Sequence, residues 1–153
     1  MKRSTIAKAF TIAAVTALAL GGAPTAKAGD KGCSTATLKG TFAHKSTGFI
    51  TAPPAQAGPL AHVGAETFDG YGAFTATGIV SQNGNIVPVT ETGTYTVNPD
   101  CTGTYTAQIS PLGITAHVFF VIDDSGNEFQ IVETDAGTVI TGVSRRQFPG
   151  RQL

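Results

Sequence analysis

Val87-Pro88-Val89-Thr90-Glu91-Thr92-Gly93-Thr94-Tyr95-Thr96-Val97-Asn98-Pro99-Asp100-Cys101-Thr102-Gly103-Thr104-Tyr105 alternates for most of its length, with threonine at 90, 92, 94 and 96. A repeat of two is the period of a β-strand, whose successive side chains point to opposite faces. The threonines form one face. Val89, Glu91, Gly93, Tyr95 and Val97 form the other and are expected to face an interior. Asn98-Pro99-Asp100 then stops the strand with residues that preset a turn, and the same alternation resumes at Thr102. Two strands joined by a tight turn make an antiparallel pair.

Outward from this hairpin the pattern predicts eight strands: Thr37 to Lys45, His62 to Phe68, Gly72 to Val80, Val87 to Val97, Thr102 to Ile109, Ile114 to Ile122, Glu128 to Thr134 and Thr138 to Arg146. Asp69-Gly70, Asn83-Gly84, Ser125-Gly126-Asn127 and Ala136-Gly137 punctuate them with residues that tolerate positive φ. Short connections make sequential strands antiparallel neighbours. Eight of them in up-and-down order can close into a β-barrel, which removes the exposed edges of an open sheet. A Greek-key β-sandwich is the alternative architecture.

The two cysteines, Cys33 and Cys101, are expected to form a structural disulfide. Up-and-down order puts the start of strand one and the turn after strand four at the same end, where these cysteines lie. No C-x-x-C spacing suggests redox chemistry.

The chain opens as an export signal does: Lys2, Arg3 and Lys8, an apolar stretch from Ala9 to Leu20, then Ala26-Lys27-Ala28. Cleavage after Ala28 would leave residues 29–153 as one exported domain, periplasmic or secreted. The stretch is short for a membrane span and none of about 18 residues follows, so no membrane insertion is expected. The residues before Cys33 do not suit a lipid anchor. Four of the ten basic residues, but none of the ten acidic ones, lie within 1–28, so the mature chain carries a net −4. That balance argues against nucleic acid as a partner, which requires clustered lysine and arginine.

Face assignment brings ionisable groups inward. Leu38, Gly40, Phe42 and His44 point in from strand one, with Lys39 and Lys45 outward, and strand seven turns Phe129, Ile131 and Glu133 inward. A buried charge is costly unless paired or facing water, so inward carboxylates and imidazoles mark a candidate site. Up-and-down order places His44, His62, His117, Glu91 and Glu133 at one rim, beside the only long connection, a loop over 46–61. Glu91 and His44 are the candidate catalytic pair, since an apolar surround raises a carboxyl pKa toward neutrality. Bland roles compete: Glu91 accepting from Tyr95 or Tyr105, and Glu133 pairing at the rim. Strand six is apolar on both faces, with Phe119 and Val121 opposite Val118 and Phe120. His117 can therefore point outward, and a second copy would cover the outer face, which makes a homo-oligomer the expectation.

No nucleophile elbow, zinc helix, phosphate loop or dinucleotide fingerprint occurs, and no cofactor or metal is expected. The phrases TFDGYGAFTATG, TGTYTVNPDCTGTYT and TDAGTVITGVSRRQ, within the span Cys33 to Gln147, resemble a group of small exported bacterial proteins of no assigned function. In shape the eight-strand reading is similar to allene oxide cyclase and dirigent barrels, which bind apolar substrates inside the barrel; no motif aligns, so no catalytic residue carries over. The leading expectation is a barrel holding a small, largely apolar molecule. Its wall would be Phe42, Phe74, Val89, Tyr95, Tyr105, Phe129 and Ile131, with Glu133, His62 and His117 also in contact. The alternatives are a cofactor-free isomerase or cyclase using Glu91, and a surface or matrix protein whose barrel is packed solid.

Overall fold

The computed structural model describes residues 32–123 and 125–148. The export signal read over 1–28 lies outside them. Eight strands follow in order: β1 (Gly40–Ile50), β2 (Gly58–Phe68), β3 (Ala73–Gln82), β4 (Asn85–Val97), β5 (Thr102–Ser110), β6 (Ile114–Ile122), β7 (Glu128–Glu133) and β8 (Thr138–Arg146). Each pairs antiparallel with the next, and β8 returns to pair with β1 from Phe42↔Arg146 to Ile50↔Thr138. This is a closed up-and-down barrel and not a Greek-key sandwich.

The hairpin that announces the fold behaves as its pattern requires. Val89, Glu91 and Tyr95 are buried while Thr90, Thr92, Thr94 and Thr96 are exposed, and Tyr95 sits opposite Tyr105. Asn83 and Gly84 both have positive φ, 49° and 85°, which is the conformation a two-residue hairpin turn needs at both central positions.

One end of the barrel is plugged. A short 3-10 turn, Thr35–Leu38, folds across it and drives Leu38 to complete burial. The Tyr95 hydroxyl donates to Thr35 O at 3.0 Å. Arg146, the last residue of β8, donates to the carbonyls of Lys39, Thr37 and Gly126 while its guanidinium lies 4.5 Å over the Phe42 ring. Here Cys33 and Cys101 are bonded, with Cα atoms 4.9 Å apart. Above this floor Phe42, Phe68, Phe74, Tyr95, Tyr105, Phe120 and Phe129 fill the lower interior. Phe68 is the hub, its ring 5.0–5.6 Å from those of Phe42, Phe74, Tyr95 and Phe129. The Phe74 ring is stacked on it and the other three meet it edge-to-face, arrangements that exceed simple burial in strength.

The long loop expected over 46–61 is mostly strand. Alternation continues through Ser46 and Ile50 inside and Thr47 and Phe49 outside, and β1 pairs with β2 as far as Ile50↔Gly58. Only 51–57 connects the two strands. Glycines and prolines hid the pattern from a reading that treats them as breakers; Pro59 sits at the end of a strand, where a missing donor is tolerated.

Candidate functional site

Longer strands change the height of every candidate. His44 and Glu91 fall near the middles of β1 and β4, and His62 is four residues inside β2. The ionisable groups therefore form a layer at mid-barrel, above the aromatic floor and below the mouth, and do not sit at the rim as the strand boundaries had implied. Glu133, the last residue of the short strand β7, is half-buried and near enough for its charge to act on Glu91.

One side of the layer is a closed network. His44 Nδ1 lies 2.9 Å from Ser144 Oγ, which donates to Glu66 Oε2 at 2.8 Å, and Glu66 Oε1 lies 3.3 Å from the same imidazole nitrogen. All three residues are buried, Glu66 to 2% exposure. Burial pushes the Glu66 carboxyl up to about 8, opposed by the Ser144 hydrogen bond, and drives His44 down to about 3. Both directions favour uncharged partners, so the contact is a hydrogen-bonded neutral pair and not an ion pair. Glu66 and Ser144 were missed from sequence. The signal existed: if His62 faces in, a period of two brings Glu66 and Phe68 in with it, and Ile140 does the same for Ser144.

The other side is open. His62 and His44 rings are 5.1 Å apart, and His62 Nε2 approaches Glu91 Oε1 only to 3.7 Å, beyond hydrogen-bonding range. Nε2 is buried and has no hydrogen-bond partner. It packs on the backbone of Gly64 and Gly78: a methyl at Gly64 would come to 3.3 Å of it, and one at Gly78 would overlap it. Burial raises the Glu91 carboxyl to about 7, with the nearby Glu133 charge adding to the effect, and burial also raises Glu133. Desolvation lowers His62.

Several expected contacts are absent. His117 faces outward, its side chain 54% exposed and its Nδ1 2.7 Å from Asp135 Oδ1. β6 alternates strictly, with Ala116, Val118, Phe120 and Ile122 buried, so odd positions go outside. Phe119 and Val121 share that outer face, partly exposed. Phe42, Phe74, Tyr95, Tyr105, Phe129 and Ile131 pack in one hydrophobic core instead of walling a void. Tyr95 gives its hydroxyl proton to Thr35 O, not to Glu91. Among the described residues no three of His, Cys, Asp and Glu converge as a metal site would require.

Space lies higher up. A cleft of about 290 Å³ opens at the mouth between loop 51–57, the β3–β4 hairpin and the β5–β6 turn, with Val80, Val87, Leu112 and Ile114 as apolar lining and Gln56 and Gln82 on its edge. Gln82 Nε2 donates to Gln56 O at 2.7 Å and Asn83 N donates to Pro59 O at 2.8 Å, fastening the loop to the hairpin. Val80 is the register partner of His62, which links the cleft to the polar layer. A larger depression of about 450 Å³ lies along β1, β7 and β8 around Gly142, bordered by Lys45, Thr47, Gln130 and Thr141. It is an open groove on the wall, and its lining residues Lys45 and Val143 are the chain neighbours of His44 and Ser144.

Fold and site together define a small antiparallel eight-stranded barrel with a solid aromatic floor and a buried carboxyl–imidazole layer beneath a mouth lined by both apolar and amide side chains. No protein-family model matches the chain, and no curated protein matches it. A solved structure of a redesigned beta barrel is similar to it, with TM-score 0.52 and 18% identity over 74% of this chain and 94% of that one. At that identity the likeness concerns the fold alone.

Proposed function

We propose that this protein is an exported binding barrel that takes a small, largely apolar molecule at its mouth, with the molecule's polar end directed to His62 and Glu91. The carrying observation is His62 Nε2, a buried polar atom with no partner. Leaving such an atom unsatisfied costs roughly 1–3 kcal/mol, so a group that completes it favours the bound state. The cleft's size and its Val80, Val87, Leu112 and Ile114 side support an apolar segment of modest length. The Cys33–Cys101 bond suits an oxidising compartment, in keeping with export. Because the lower interior is filled, the ligand belongs in the upper half.

Native mass spectrometry of protein purified from its exported fraction tests the reading. Extra mass released on denaturation, and lost in Val87→Arg, is the expected result. A bare mass that persists after incubation with a lipid extract would sink it.

A second reading has one specific support. A carboxyl held near 7 can take and give a proton at neutral pH, so Glu91 suits general acid–base work on a bound molecule, as in a cofactor-free isomerase. His44, tied into the Ser144–Glu66 network, would act there only by positioning. Glu91→Gln separates the two: turnover of a bound molecule should collapse, whereas a binding barrel should lose only part of its affinity.

A further inference from the structure

We infer that the ligand of the upper barrel carries a protonated amine at its polar end, seated among Glu91, Glu133 and His62 Nε2. The inference rests on the binding reading above and names the chemical class that this site would select.

Charge inventory is the first argument. Of the four basic residues described, Lys39 and Lys45 are exposed on the outer wall, Arg145 is paired outside with Glu128, and Arg146 is spent on the floor. None reaches the upper interior, whereas Glu91 and Glu133 do. An anionic ligand would meet two carboxyl groups there beside the His62 imidazole, and a cation would relieve the carboxyls' mutual repulsion.

Hydrogen bonding is the second and independent argument. His62 is 9% exposed, and its Nε2 has no partner. The nearest ionisable atom, Glu91 Oε1 at 3.7 Å, is too far to bond directly. Two acceptors at that spacing can both lie at about 2.9 Å from a single donor nitrogen placed between them. A neutral imidazole with its proton on Nδ1 offers Nε2 as an acceptor, and an ammonium brings three N–H donors and no acceptor. With that tautomer the deficit at this point is a hydrogen-bond donor, and the flanking carboxyls make a positively charged one the better match.

Reach is the third. Glu91 lies four residues below Val87 on the same inner face of β4, about 13 Å along the strand. An amine on a straight chain of about eight carbons spans most of that length, with its tail against Val80 and Val87.

Calorimetric titration of the mature protein with n-octylamine, 1-octanol and sodium octanoate at pH 7.5 tests this with probes that differ only at the head. The expected order is octylamine at least tenfold tighter than octanol, with octanoate weakest. Glu91→Gln should weaken octylamine about tenfold and octanol much less, because a neutral head forfeits no charge pair. If octanol or octanoate binds as well as octylamine, the amine is wrong while the binding barrel stands. If none of the three binds, both readings fail. A preference for octylamine that survives Glu91→Gln and Glu133→Gln would place the amine elsewhere on the protein and would equally overturn the inference. The wild-type probe series needs no variant to fold.

Discussion

Replacing Glu66 with Gln should make the barrel more stable at pH 8 and leave it nearly unchanged at pH 5. Glu66 is held protonated up to about 8, against an ordinary 4.5, because its carboxyl is fully desolvated. Between those values the folded state binds a proton that the unfolded chain has released, so stability falls as pH rises. At about 1.4 kcal/mol per pH unit, Glu66 alone removes roughly 2 kcal/mol between pH 6.5 and 8. Glu91, raised to about 7, acts in the same direction over the lower part of that window. His44 and His62 work oppositely: lowered in the fold, they cost stability only as pH falls below their ordinary 6.5. The window from 6.5 to 8 therefore isolates the carboxyls. Glutamine keeps an amide that can still meet Ser144 and carries no charge to bury. Urea unfolding followed by circular dichroism at several pH values should show the wild-type slope above 6.5 reduced by more than half in Glu66→Gln. Parallel profiles for the two proteins would refute the reasoning, because they would mean that Glu66 is already ionised near pH 6.5 and pairs with a charged His44.

Two further outcomes test the scaffold. The Cys33–Cys101 bond spans 68 residues, and on the chain-entropy account opening it costs about 4 kcal/mol; the Cys33→Ala/Cys101→Ala protein should unfold at the urea midpoint of the reduced wild type and show no response to reductant. Gly103→Ala would push a methyl into the Phe120 ring and the Thr96 carbonyl across the β4–β5 pair, so overpacking should cost about 1–3 kcal/mol; a thermal midpoint equal to wild type would contradict the packing of that ring on bare backbone.

Much of the wall was legible from residues alone. Period two assigned His44, Glu91, Tyr95 and Phe129 to the inside and the threonines to the outside, because face is a local property of an extended chain. Asn83-Gly84 and the other turns gave the strand order for an equally local reason, since so few residues can adopt positive φ without strain. The cysteines at one end followed from that order.

Height and partnership were decided by the tertiary structure. Where a group sits along the barrel depends on where strands end and how β8 is staggered against β1, and both are set by pairing between distant residues. The extension of β1 to Ile50 is what lowered the ionisable layer from the rim to mid-barrel. Only closure joins His44 to Ser144, 100 residues apart, and through it to Glu66. Packing decided the rest: Arg146 and Leu38 seal one end and seven aromatic rings fill the space above them, because side-chain volume in a closed barrel of eight strands leaves little room unless small residues line it. Sequence periodicity determines which side chains enter the barrel. Their level, their neighbours and the space left between them emerge only when the wall closes.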